Sequence, residues 1–258
     1  MLPCEQTATI NTHHILIVGS GFAGLAFARV LQWKDGHTLP RTLVTHIEIS
    51  DEGAVAAGDI KLANAREVFE ACELRSSYAQ GQCVTYSREF LREALAMKGT
   101  VHHGWELADV EVAGERMKCM LHYRATGESL TTYFDYVVGA DGLCSTVREH
   151  ARRSPTVAAR VALIGDARRV VLGEPDFGWS RVKYGARQAM LDGAALAREL
   201  VRRKYAWDSY DGWVKGAPPP TYAYHPVRSA ALRLATRAVA LLPLGAVLAA
   251  TWYGSSQS

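Results

Sequence analysis

The spacing of apolar residues changes several times along this chain, and each change marks an element. Ile15-Leu16-Ile17-Val18 is an unbroken apolar run ending at a glycine. That is the pattern of a strand buried on both faces of a parallel sheet. Leu25-Ala26-Phe27-Ala28-Arg29-Val30-Leu31 follows with apolar residues at helical spacing. Residues 43–49 predict the next strand, with a mixed period that leaves its register open. Helices are expected over residues 64–74 and 88–98. Residues 107–138 alternate apolar and polar around Ala113-Gly114-Glu115 and Thr126-Gly127-Glu128. This predicts a β-meander leading into a strand at 136–138. A further short strand is expected at 161–164, before Gly165-Asp166. Residues 186–203 predict a helix with Ala189, Met190, Ala194, Leu196 and Leu200 on its apolar face. Gly216-Ala217-Pro218-Pro219-Pro220 reads as a linker or stiff turn. Strands and helices in this order predict an α/β fold with a parallel sheet and a reduced β-meander appendage.

Composition narrows the class without naming a function. The chain has 258 residues, 48% of them hydrophobic and 21% charged, which suits a soluble globular protein with a sizeable core. A net charge of +3 without a Lys/Arg run gives no support for a nucleic-acid partner. Five cysteines (Cys4, Cys72, Cys83, Cys119, Cys144) show no Cys-x-x-Cys spacing, which favours a reducing, cytoplasmic setting over a disulfide framework. Residues 1–14 hold no apolar core of a secretory signal. Residues 238–253 form a 16-residue uncharged stretch preceded by Arg228, Arg233 and Arg237. It is short for a membrane span and is interrupted by Pro243 and Gly245. A packing segment and a weakly membrane-associated tail both fit it. His102-His103 has no acidic partner at ligand spacing, so no metal site is expected. There is no Gly-x-Ser-x-Gly elbow to suggest hydrolase chemistry.

The chemistry-bearing signal begins at Gly19-Ser20-Gly21-Phe22-Ala23-Gly24, between the first predicted strand and helix. Gly19 permits the tight turn, Gly21 lets the backbone approach a pyrophosphate, and Gly24 lets helix and strand pack closely. The free N–H groups and dipole at the helix N-terminus favour an anion there. A dinucleotide ribose needs an acidic partner about 20 residues further on. Glu48, 24 residues after Gly24, is the first candidate, with Asp51 and Glu52 as rivals.

The second signal is Gly139-Ala140-Asp141-Gly142-Leu143-Cys144-Ser145-Thr146-Val147-Arg148. Read alone, it is a strand-to-turn connection in which Asp141 caps a following helix. Together with the glycine turn it resembles the single-component FAD-dependent monooxygenases of the aromatic-hydroxylase type. Further blocks extend the resemblance. Gly58-Asp59-Ile60-Lys61-Leu62-Ala63-Asn64-Ala65 is similar to the family's apolar segment entering a helix. Arg88-Glu89-Phe90-Leu91-Arg92-Glu93-Ala94-Leu95 matches its Arg-x-x-Leu-x-x-x-Leu helix, and Leu163-Ile164-Gly165-Asp166-Ala167 its Gly-Asp motif. Pro175-Asp176-Phe177-Gly178-Trp179-Ser180 is similar to its Pro-x-x-Gly-x-Gly turn, with Ser180 at the second glycine.

The resemblance implies FAD as cofactor, NAD(P)H as co-substrate and dioxygen as oxidant. One oxygen atom enters a small organic substrate, aromatic or of secondary metabolism, and the other leaves as water. Cofactor-binding roles then fall to Gly19, Gly21, Gly24, Glu48, Arg88, Asp141, Gly142, Asp166, Pro175 and Gly178. No catalytic acid or base is implied, and the oligomeric state is left open. The expected layout is an extension at 1–12, an FAD-binding domain at 13–200 with the meander inserted, and a C-terminal region at 201–258. Only 22 residues (143–164) separate Gly142 from Gly165, where the family carries most of a substrate domain. A reduced enzyme, an inactive flavin-binding relic and a chain missing segments through its gene model all fit that interval. A flavin-free NAD(P)-dependent enzyme would explain the glycine turn but neither later block.

Overall fold

The apolar run at residues 15–18 lies within β1 (His13–Val18), the middle strand of a five-stranded sheet. The structure is a computed structural model, and it describes residues 12–35, 42–51, 58–75, 83–96, 101–169 and 179–203. On one side of β1 lie β2 (Thr42–Glu48) and then β5 (Val101–His103). On the other lie β9 (Tyr136–Gly139) and β10 (Val161–Leu163). Every pairing is parallel. Val18 stands opposite both Ile47 and Gly139, Leu163 opposite Gly139, and Glu48 opposite His103. All five carboxyl ends therefore share one edge of the sheet. The chain moves outward from β1 through β2 to β5, then returns to lay β9 and β10 on the far side. The strand order reverses between β1 and β9, which is where open α/β sheets place their ligand crevice.

Alternation along β1 sends Leu16 and Val18 to one face and Ile15 and Ile17 to the other, and all four are buried. Leu16 and Val18 join a core with Leu107, Val110, Met117, Cys119, Leu121 and Phe134. Those six come from the predicted meander, which is β6 (Trp105–Ala113), β7 (Arg116–Tyr123) and β8 (Glu128–Phe134). Gly114 and Gly127 turn its two hairpins at φ +65° and +75°.

Helix α1 (Phe22–Asp35) packs along α7 (Trp179–Arg202). They pack tightly at Gly193, where a Cβ would lie 2.2 Å from the Ala23 carbonyl oxygen. Helix α7 starts earlier than the apolar periodicity placed it. Residues 59–63 lead into a helix as expected, but their own strand form was not foreseen. They form β3 (Asp59–Ala63), paired antiparallel with β4 (Cys83–Ser87). The cause is visible in the side chains: Leu62 is buried while Asp59 and Lys61 are exposed, a strand period. The helices α2 (Ala65–Ala71) and α3 (Arg88–Leu95) follow these two strands, and Ser87 caps α3 by accepting from the Phe90 N–H.

The short interval between β9 and β10 holds two helices, α4 (Thr146–Arg153) and α5 (Pro155–Ala158). Helix α6 (Asp166–Arg169) begins three residues after β10. Among the described residues no helix is long and apolar enough to cross a membrane. The Pro-rich turn at 216–220 and the apolar stretch at 238–253 lie outside the described residues.

Candidate functional site

The carboxyl edge gathers four of the sequence signals. The glycine turn follows β1, Glu48 ends β2, Asp141-Gly142 follows β9, and Gly165-Asp166 follows β10. In the turn, Gly19 has φ +101°, and a Cβ there would come within 2.5 Å of the Ala140 carbonyl oxygen. A Cβ on Gly24 would lie 2.2 Å from the Gly19 oxygen and 3.2 Å from His46 Nε2. Both positions exclude any side chain by packing inside the protein. Gly21 differs, since a Cβ there would meet only the Ala140 oxygen, at 3.8 Å. Among the described residues, nothing in the protein requires its bare backbone. Helix α1 begins at the next residue, and its first N–H groups have no acceptor within the helix.

Three consecutive residues of β2 fix the start of this turn. The Gly19 N–H donates to the Ile47 carbonyl at 2.9 Å. His46 Nε2 lies 3.0 Å from the Gly19 carbonyl oxygen. Glu48 Oε2 accepts from the Ser20 N–H at 2.6 Å and from its hydroxyl at 2.8 Å. The other oxygen, Oε1, accepts from the Ser50 N–H at 3.0 Å and hydroxyl at 2.9 Å. Burial opposes charge on Glu48, but these four bonds outweigh it and hold the carboxyl below its ordinary value. His46 is buried, and that burial pushes its imidazole below the ordinary 6.5 despite the Gly19 bond and the nearby Glu48 charge.

His46 and Arg92 escaped the sequence reading. Arg92 Nη1 donates to the Ser20 carbonyl at 3.1 Å, and its Nη2 to the Ser20 hydroxyl at 3.2 Å. The family-matching Arg88 instead has its guanidinium carbon 5.9 Å from the centroid of the Phe22 ring, within cation–π range. Its Nε is buried without a hydrogen-bond partner among the described residues. A signal existed for His46, the one imidazole inside the otherwise apolar and threonine-bearing Leu43-Val44-Thr45-His46-Ile47.

Beyond β9, Asp141 Oδ2 accepts from the Thr146 N–H at 2.7 Å, the Thr146 hydroxyl at 2.9 Å and the Val147 N–H at 3.4 Å. It thus caps α4 together with Ser145, whose hydroxyl accepts from the Arg148 N–H. Asp141 Oδ1 is buried without a hydrogen-bond partner among the described residues. Gly142, at φ +77°, supplies a left-handed backbone in open space. Arg148 is buried and donates to the Leu143 carbonyl and, at 2.9 Å, to the Ala167 carbonyl. It ties the Asp-Gly turn to the Gly165-Asp166 turn. Gly165, at φ +61°, sits so near α1 that a Cβ would lie 2.9 Å from the Ala23 Cβ. Pro175 and Gly178 lie outside the described residues.

These residues fit a dinucleotide cofactor. The open backbone at Gly21 admits a close diphosphate, the α1 N-terminus favours its charge, and Arg88 Nε and Asp141 Oδ1 are polar atoms still without partners among the described residues.

Solved structures show limited likeness to this chain. The flavin-dependent monooxygenase PieE, in complex with FAD and substrate, is 19% identical at a TM-score of 0.45, over 56% of this chain and 33% of its own. The substrate-free rebeccamycin biosynthetic enzyme RebC is 14% identical at 0.41, over 54% and 34%. OxyS anhydrotetracycline hydroxylase from Streptomyces rimosus is 18% identical at 0.42, over 55% and 34%. The chain thus spans about a third of the length of each. No curated protein matches it. The family model "FAD binding domain" matches residues 40–176, more than half of the chain, and that range takes in Glu48, Arg88, Asp141, Gly142 and Asp166. The chain belongs to the FAD-binding domain family, and its cofactor is FAD.

Proposed function

We propose that this chain is an FAD-dependent monooxygenase that takes reducing equivalents from NAD(P)H and inserts one atom of dioxygen into a small organic substrate. The observation that carries the reading is the meeting of the glycine turn and the Asp141-Gly142 turn across the β1–β9 switch point, in a chain of the FAD-binding family. Bound FAD supplies the hydride acceptance and oxygen activation that amino-acid side chains lack. The protein's part is to bind and orient. Gly21 and the first N–H groups of α1 receive the diphosphate, while Gly19 and Gly24 hold the turn closed around them. Glu48 would accept from the adenosine ribose in exchange for one of the serine hydroxyls it now binds, and Arg88 and Asp141 offer polar atoms without partners among the described residues. Asp166, Gly142, Pro175 and Gly178 complete the binding set. The substrate class implied by the resemblance is aromatic or of secondary metabolism.

A second reading has its own support. The β9–β10 interval holds only α4 and α5, where the resembling enzymes carry most of a substrate domain. A chain that holds FAD without hydroxylating anything would have this form. Mixing the FAD-loaded protein with NADPH separates the two. The monooxygenase bleaches its flavin, recovers colour with oxygen and puts labelled oxygen into an aromatic product. Stable flavin colour under NADPH, with no oxygenated product from a panel of aromatic substrates, would leave the second reading.

A further inference from the structure

Ser20 is the most heavily bonded residue of the glycine turn among the described residues. It is fully buried, and its N–H, hydroxyl and carbonyl are all bonded. Glu48 takes the N–H and hydroxyl, and Arg92 takes the carbonyl and shares the hydroxyl. The arrangement has an electrostatic consequence. Glu48 brings a carboxylate within 2.6 Å of the Ser20 nitrogen, in the turn proposed to receive the cofactor diphosphate. A diphosphate on the same turn would repel that carboxylate, each disfavouring the other's charge. Arg92 lies one helical turn from Arg88, so α3 presents two cations on one face. Of the two, Arg92 is the one that hydrogen-bonds to the turn. Its forked guanidinium fixes the direction of the Ser20 carbonyl while offsetting the Glu48 charge.

We propose that Arg92 is a positioning residue for the cofactor diphosphate, locking Ser20 against Glu48 and balancing the Glu48 carboxylate. The inference rests on FAD occupying the glycine turn and adds to that reading a residue outside the matched family arginine, Arg88.

Quenching of flavin fluorescence gives the FAD dissociation constant for the full chain and for Arg92→Gln and Arg92→Lys, across a range of KCl. Melting of the FAD-free proteins is followed in parallel. Loss of a charged hydrogen-bonding group predicts roughly tenfold weaker FAD binding in Arg92→Gln. Its melting temperature without FAD stays close to that of the unaltered chain. Arg92→Lys keeps the charge but not the fork, and recovers the affinity to within about threefold of the unaltered chain. Salt weakens FAD binding in the unaltered chain and weakens it less in Arg92→Gln. Equal affinity in Arg92→Gln and the unaltered chain overturns the proposal, as does a fall in melting temperature with affinity unchanged. Should Arg92→Gln fail to fold, Arg92→Lys decides. Binding within about threefold of the unaltered chain, with the same salt dependence, supports charge balance, whereas a loss as large as tenfold overturns it. If the folded, unaltered chain does not bind FAD at all, the cofactor's place in the turn fails first and this inference falls with it.

Discussion

The turn after β1 is held by residues from far along the chain, whereas the turn after β9 is held mostly by its own neighbours. His46, Glu48 and Arg92 reach the first from 27, 28 and 72 residues away. Asp141 caps α4 from five and six residues away, and Arg148 reaches Leu143 across five. The Arg148 bond to Ala167, 19 residues on, carries the second turn into another element. The two turns lie side by side on paired strands, with Val18 opposite Gly139. The side-chain bonds that hold the glycine turn come from β2 and α3, while those that hold the Asp-Gly turn come mostly from α4, with Arg148 adding its tie to Ala167. One half of the proposed cofactor site is therefore tied across the sheet, and the other mostly within its own stretch of sequence.

Substitutions at glycine should separate these cases most strongly. Gly24→Val drives a side chain into the Gly19 carbonyl, and it is expected to cost about 3 kcal/mol or to prevent folding. Gly21→Val meets only the Ala140 oxygen, at van der Waals distance, so urea denaturation should find its stability close to that of the unaltered chain. Similar losses at both positions would show that packing alone demands the motif. Next in size is Asp141→Ala, which removes the acceptor of two backbone N–H groups at the start of α4. About 1–2 kcal/mol of stability should go with it. A loss below a few tenths of a kcal/mol would mean that Ser145 caps α4 unaided.

The smallest effect is one of pH. The unfolded chain binds a proton at His46 near its ordinary 6.5, while the buried imidazole resists protonation below that value. Stability from this group is thus complete above pH 6.5 and falls as the pH drops below it, by at most about 1.4 kcal/mol per pH unit. His46→Gln keeps a donor for the Gly19 carbonyl and should flatten that slope between pH 6.5 and 5. An unchanged slope would place its origin in other groups.

The same contrast explains what was legible in the sequence. Strand β1, the three glycines and the run from Gly139 to Arg148 are contiguous patterns and so were legible, although the side chains that hold the glycine turn come from far along the chain. The meander was legible because its alternation is broken by glycine at each turn. Strands β3 and β4 were not, since each is short and gains its strand form from a partner 20 to 28 residues away. Arg92 was invisible for a related reason. Helical periodicity puts Arg88 and Arg92 on one face, yet which guanidinium meets the turn depends on how α3 docks. His46 stood out only as a polar residue in an apolar strand, and its partner, a glycine carbonyl, leaves no trace in side-chain chemistry.

The sharpest test is retention of FAD through gel filtration by the unaltered chain and by Gly21→Val, each first verified as folded. Flavin absorbance should travel with the unaltered protein and be lost from Gly21→Val, because the added side chain would occupy the space proposed for the diphosphate. A folded, colourless unaltered chain, or a Gly21→Val variant that holds FAD equally well, would contradict a diphosphate seated on the glycine turn.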